Sequence, residues 1–385
     1  MAESILPFRI EVPDAALVDL RERLARTRFP DQIEGAGWDY GTELGYLRQL
    51  VDHWRERFDW RRQEAALNAF PQFTTSIDGH RVHFLHVRSP HAEAFPLVVT
   101  HGWPGSIFEF HKILGPLTDP PAQGGEARDA FHVVCPSIPG YGFSEAPRTP
   151  GWDARRMAEV NAALMERLGY GRYGAQGGDW GAIISTHNAL VDRARCVGIH
   201  LNMVVALPPQ GVADPTAGLS DAEKQAVADL FAFQKNETGY QAIQGTKPQT
   251  LGYGLNDSPA GLAAWIVEKF RTWSDCGGDV ERRFTKDELL TNVMIYWVTQ
   301  SITSSTRLYC ETMRSGRFGG AGERVETPTG CAIFPKELYR APRAWAERAY
   351  QVAQWTVMPA GGHFAALEEP ALLVDDVRAF FRKVR

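Results

Sequence analysis

At 385 residues, with a formal net charge of −5 and no run of lysine or arginine, the chain can bury a sizeable core and offers neither nucleic acid nor an anionic membrane a matching surface. Its five cysteines are odd in number and scattered, without CxxC or Cys/His ligand spacing, so they read as reduced core thiols of a cytoplasmic protein. The opening Met1-Ala2-Glu3-Ser4-Ile5-Leu6-Pro7 lacks a basic stretch followed by an apolar one, and no segment approaches about eighteen uninterrupted apolar residues, so a soluble protein without membrane anchor is expected.

In chain order, Asp14 after Pro13 reads as a helix N-cap, and Leu17, Leu20 and Leu24 mark one apolar face of a helix over 14–27. A second helix over 42–57 carries Leu44, Leu47, Val51 and Trp54, and the aromatic cluster Phe58, Trp60 and Phe70 reads as material for packing against a larger body. Phe73 to Ile77 and Arg81 to Val87 flank Asp78-Gly79, a dipeptide suited to the positive φ angles of a two-residue hairpin. Strand-like runs at Pro96 to Thr100, Phe131 to Cys135 and Tyr173 to Gln176 then alternate with helical stretches, including Ala154 to Leu168, which predicts a mostly parallel sheet of α/β class. After Asn202 the sequence turns helix-rich and aromatic-rich, opening with Pro208-Pro209, until a strand-like Gly330 to Phe334 resumes the sheet and Pro370 to Arg385 adds a closing helix. The expected organisation is an N-terminal meander over 1–71, a first core part over 72–204, an inserted, mostly helical cap over 205–323 and a second core part over 324–385.

Gly177-Gly178-Asp179-Trp180-Gly181 has the small-X-nucleophile-X-small form of a nucleophile elbow, with a carboxylate where serine is usual. A serine needs a base before it attacks, whereas a carboxylic acid of ordinary pKa about 3.9 is already ionised at neutral pH. Carboxylates attack esters poorly but attack saturated carbon bearing a leaving group, giving an alkyl ester that water must cleave. Epoxides and haloalkanes are the substrates such chemistry suits. The bland reading, a glycine-flanked loop with a solvated or capping aspartate, is opposed by the surroundings. His101-Gly102-Trp103-Pro104-Gly105-Ser106 follows a predicted strand, the place from which an elbow fold supplies an oxyanion-hole N–H, and Trp103 and Trp180 are the expected backbone donors. Loss of one such donor typically costs about 2.7–4 kcal/mol of barrier.

Gly361-Gly362-His363-Phe364 offers a general base in the chain order nucleophile, acid, histidine. The orienting acid should lie after a strand and before His363; Glu337 fits, barely ahead of Asp375, Glu368 and Glu311 on spacing alone, and it could equally be a solvent-facing residue opening a helix. His80, His83 and His86 alternate along a predicted strand, His83 facing the core in the simplest reading; no pair has zinc-helix spacing, and no metal is expected. An epoxide's leaving oxygen needs a donor, and a phenol remains one at neutral pH, but periodicity does not choose between Tyr240, Tyr253, Tyr296 and Tyr309.

These stretches together resemble epoxide hydrolases of the microsomal and juvenile-hormone type. The resemblance runs over nearly the whole chain, through Pro7-Phe8-Arg9-Ile10, Phe58-Asp59-Trp60-Arg61, the 101–106 segment, Pro136-Ser137-Ile138-Pro139-Gly140-Tyr141-Gly142-Phe143-Ser144, the elbow and 361–364. It implies an α/β-hydrolase fold with cap and N-terminal meander, and no cofactor. By its motifs it implies that Tyr240, before Thr246-Lys247-Pro248, and Tyr309, in Ser304-Ser305-Thr306-Arg307-Leu308-Tyr309, hold the epoxide oxygen, and that Glu337, after Phe334-Pro335, is the acid. Membrane-bound members begin with an anchor helix that these first residues do not match. The expectation is hydrolysis of a small lipophilic epoxide, with water, to a vicinal diol. The rivals are haloalkane dehalogenation, which the tyrosine pair argues against because a departing halide needs no proton, and a non-catalytic lipid- or hormone-binding protein of the same fold. A homodimer is compatible with all of these readings.

Overall fold

The computed structural model describes residues 4–318 and 322–385. Among these, nine strands form one sheet: β1 (Leu6–Phe8), β2 (Gln72–Ile77), β3 (His80–Val87), β4 (Phe95–Thr100), β5 (Phe131–Pro136), β6 (Tyr173–Gly177), β7 (Cys196–Leu201), β8 (Val325–Ile333) and β9 (Tyr350–Val357). Their order is β1-β2-β3-β5-β4-β6-β7-β8-β9, antiparallel from β1 to β5 and parallel from β5 to β9. The central strand β4 is apolar without alternation because helices cover both faces; Leu97, Val98 and Val99 are all fully buried. Asp78 and Gly79 turn the β2–β3 hairpin at φ of 52° and 76°, the double positive φ that the dipeptide predicts.

Chain order reverses at β4, which lies between β5 and β6. Open α/β sheets bind ligands at such a switch point, beyond the carboxyl ends of the strands. The loops that leave β4, β6, β8 and β9 there carry Trp103, Asp179, Glu337 and His363 respectively.

Between β1 and β2 stand helices Asp14–Ala25, Leu44–Glu56 and Trp60–Leu67. The cap assigned to Asp14 falls instead on Pro13: Asp14 is the first helical residue, and its carboxylate pairs with Arg61 at 2.5 Å. The third helix is an addition to the sequence reading, since eight residues with apolar positions only at its ends show no usable periodicity. Its Glu64 is buried and accepts from the Val12 amide at 2.7 Å and the Trp60 indole at 3.2 Å, tying the leading segment down. Strands β1, β7 and β9 also escape the sequence pattern: β1 has three residues, β7 follows closely on a helix, and β9 lies at the sheet edge with most positions half-exposed.

Between β7 and β8 the chain forms helices Asp221–Asn236, Gly239–Thr246, Pro248–Asp257, Pro259–Trp273, Lys286–Thr299 and Ile302–Ser315. The inferred cap span also includes 319–321, which lie outside the described residues. Capping boxes, Ser220 with Glu223 and Thr285 with Glu288, start two of these helices. The Lys286–Thr299 helix clamps the loop after β4: Asn292 Nδ2 donates to the Pro104 carbonyl at 2.7 Å and the Tyr296 hydroxyl to the Gly105 carbonyl at 2.6 Å.

Candidate active site

Asp179 sits at φ 50° and ψ −130°, a conformation that costs a non-glycine residue about 1–3 kcal/mol and persists only where its surroundings enforce it. The glycines around it supply that enforcement by close approach. A Cβ on Gly181 would stand 1.8 Å from the Thr100 carbonyl oxygen, one on Gly177 2.2 Å from the Gly181 carbonyl carbon, and one on Gly178 2.3 Å from Asn202 Nδ2. On Gly102 it would meet the Asp179 Oδ1 at 2.1 Å. The same atom would lie 2.4 Å from the Asp179 Cβ, whose place the elbow backbone fixes, so Gly102→Ala should displace the carboxylate together with the backbone that carries it. We expect turnover to fall at least about 100-fold, the scale of a 1 Å misplacement, with a lowered Tm; thermal unfolding beside steady-state kinetics checks both.

The carboxylate is held on two sides. Oδ1 accepts from the Trp103 amide at 2.7 Å, and Oδ2 lies 3.3 Å from His363 Nε2. Trp180 opens the helix Trp180–Val191, so its N–H is one of those a helix leaves unbonded internally, at the end where the dipole favours negative charge.

His363 is buried and its amide donates to the Trp273 carbonyl at 3.0 Å. Its Nδ1 lies 2.8 Å from Glu337 Oε1, which makes Nδ1 the protonated nitrogen toward the acid and points Nε2 at Asp179. Burial alone would depress this imidazole; Glu337 and Asp179 outweigh it and hold the pKa well above the ordinary value. Glu337 is buried outside any helix, and its Oε1 also accepts from the Leu338 amide at 2.7 Å. The other acids stand elsewhere. Glu368 accepts from the Asp275 and Phe364 amides and burial raises it to about 7, Asp375 is exposed beside Arg378, and Glu311 accepts from the Gly151 amide.

Of the four cap tyrosines, Tyr253 is exposed and Tyr296 commits its hydroxyl to Gly105. Tyr240 and Tyr309 are both buried with ring centroids 6.0 Å apart; Tyr240 stacks on the Trp103 indole at 5.5 Å, and Tyr309 meets the Trp180 ring edge-on at 4.7 Å. Burial pushes both phenols up, assisted at Tyr240 by Asp179 and at Tyr309 by Tyr240 and Asp179, so both stay protonated donors at neutral pH. The buried Tyr309 hydroxyl lies beside Tyr240 and Trp180, but among the described residues it has no partner at good hydrogen-bond geometry, a shortfall that a ligand oxygen would satisfy. These tyrosines and Asp179 line a cavity of about 130 Å³ whose other walls include Ile183, Met203, Leu230, Phe233, Phe318 and Leu338.

Sequence reasoning missed Asn292 and the apolar wall residues, and it offered Tyr296 only as a candidate donor rather than as a clamp on the loop after β4; these act across long separations and leave no local spacing to read. His83 binds Ser137 and Gln72 inside the core, where burial lowers it to about 3. Among the described residues, no group of three or more His, Cys, Asp or Glu is arranged to hold a metal, and no helix is long and apolar enough to cross a membrane.

Residues 5–110 match the family model described as epoxide hydrolase N terminus, and residues 96–276 match that of the alpha/beta hydrolase fold. The chain is 41% identical to epoxide hydrolase 1 of Oryctolagus cuniculus over 98% of its own length and 89% of that protein, and 39% identical to juvenile hormone epoxide hydrolase 1 of Ctenocephalides felis over 99% and 86%. Among solved structures, the juvenile hormone epoxide hydrolase of the silkworm Bombyx mori superposes with a TM-score of 0.91 at 34% identity, covering 99% of this chain and 95% of that one. The Aspergillus niger epoxide hydrolase does so with a TM-score of 0.89 at 33% identity, covering 99% and 97%. With these relatives spanning it almost end to end, and with an aspartate at its elbow, the chain belongs to the epoxide hydrolase family of the α/β-hydrolase fold.

Proposed function

We propose that the protein hydrolyses small lipophilic epoxides to vicinal diols through an alkyl ester on Asp179. The observation that carries this reading is the placement of two phenols and a histidine–glutamate pair around one elbow carboxylate, at an apolar-walled cavity. Oδ1 is occupied by the Trp103 amide, so Oδ2 attacks the less hindered ring carbon. As that C–O bond forms, the ring C–O bond breaks and its electron pair goes to the oxygen, which takes a proton from the Tyr240–Tyr309 pair. His363, oriented by Glu337, then removes a proton from water, whose oxygen adds to the ester carbon. The Trp103 and Trp180 amides receive the oxyanion. Collapse breaks the bond to the alkyl oxygen, which takes the proton that the new Asp179 carboxylic acid gives up as it returns to carboxylate; the diol leaves, and the imidazolium proton restores the phenol.

Tyr240→Phe and Tyr309→Phe should each slow ring opening about 10²-fold, the low end for loss of a positioned acid, and the double variant more. The assay is diol formation from a panel of lipophilic epoxides, with halide release from haloalkanes in parallel. Halide release that survives the double variant while no epoxide is consumed by the wild type would favour dehalogenation instead.

A further inference from the structure

Among the described residues, Lys269 is the one buried lysine, 6% exposed, on the helix Pro259–Trp273. A buried ammonium is costly unless something compensates it. Its carboxylate partner is the adjacent Glu268, with Glu237 also close enough to feel both charges. Its Nζ lies 4.8 Å from the centroid of the Tyr240 ring and 5.8 Å from that of Trp273. Trp273 in turn packs edge-on against the His363 ring at 5.1 Å. The ammonium therefore stands against the phenol that, under the function proposed above, gives up a proton as the epoxide opens.

We propose that Lys269 is a positioning residue for ring opening: its charge stabilises the negative charge that Tyr240 gains when its O–H bond breaks and the proton passes to the epoxide oxygen. The electron pair left on the phenolate spreads into the ring, and a cation is drawn more strongly to that electron-rich ring than to a neutral phenol. The interaction thus strengthens toward the transition state, the kind that raises the rate of the step rather than substrate affinity. It touches neither substrate nor ester, so it should leave the second, water-dependent step alone. Glu268 compensates the buried ammonium in the ground state, and its own charge opposes the Tyr240 phenolate that the lysine favours.

The test is stopped-flow Trp fluorescence during single turnovers of styrene oxide, separating ester formation from ester hydrolysis. Lys269→Met and Lys269→Gln are expected to slow ester formation about tenfold, with ester hydrolysis and substrate affinity within about twofold of wild type. Lys269→Arg, which keeps the cation, should recover most of the rate. In a Tyr240→Phe background, which has no proton to give, Lys269→Met should cost less than about twofold. Equal losses in both backgrounds, or no loss in the first, would overturn the proposal and make Lys269 a packing residue. Should the wild type form no ester with this or any panel epoxide, the functional reading itself fails and this inference with it; an ester that forms equally fast in wild type and Lys269→Met defeats the inference alone.

Discussion

Asp179→Ala is expected to abolish diol formation, by about 10⁶-fold, the scale seen when a covalent nucleophile is removed from an otherwise intact site. The nearby carboxyls are neutral or committed: burial raises Glu109 to about 8, which keeps it protonated at neutral pH. Glu337 spends Oε1 on His363 and the Leu338 amide, and Glu368 is bound by two backbone amides. The Ala side chain also relieves the left-handed strain little, so the fold should persist and Tm should move only slightly. Intact-protein mass spectrometry after epoxide exposure checks the chemistry directly: the wild type should pass through an adduct and the variant should carry none. Adduct on the variant at the wild-type rate would place the nucleophile elsewhere.

His363→Gln should do the reverse, forming the ester at close to the normal rate and failing to cleave it. A positioned general base is worth about 10²–10⁴-fold, so the adduct should accumulate to one per chain and turnover should fall by that factor. The imidazole's environment adds a pH dependence. In the free enzyme Glu337 and Asp179 hold His363 above its ordinary pKa against the pull of burial. Esterification removes the Asp179 charge, leaving burial opposed by Glu337 alone, so the pKa must fall on alkylation and the neutral, basic form gains population when it is needed. Ester hydrolysis in single turnovers should therefore rise with pH through that lowered pKa and drop tenfold per unit below it. An NMR titration in which Asp179→Asn lowers the His363 pKa would support the linkage; an unchanged value would refute it.

Much of the architecture could be read from the chain before any coordinates because the signals are local. Asp78-Gly79 needs only its own dihedrals to make a hairpin, the runs over 96–100 and 131–135 need only their apolarity, and the elbow needs only small residues beside Asp179. Where local signal is thin the reading fails, as at the three-residue β1, the exposed edge strand β9 and the short helix Trp60–Leu67.

Thus the sequence by itself determined the parallel sheet and an elbow with a carboxylate at its tip, and through these the class of chemistry to propose. Each follows from backbone conformations and ionisation that neighbouring residues dictate. Spacing could not rank Glu337 above Glu368, Asp375 and Glu311, or Tyr240 and Tyr309 above Tyr253 and Tyr296; motif resemblance named them, and only the tertiary structure decides what each one touches. Glu337 meets His363 across 26 positions and Lys269 meets Tyr240 across a helix-to-helix contact. Which polar group is buried, paired or left to face the cavity depends on how the helices between β7 and β8 pack over the switch point, and packing between distant segments has no period in the chain.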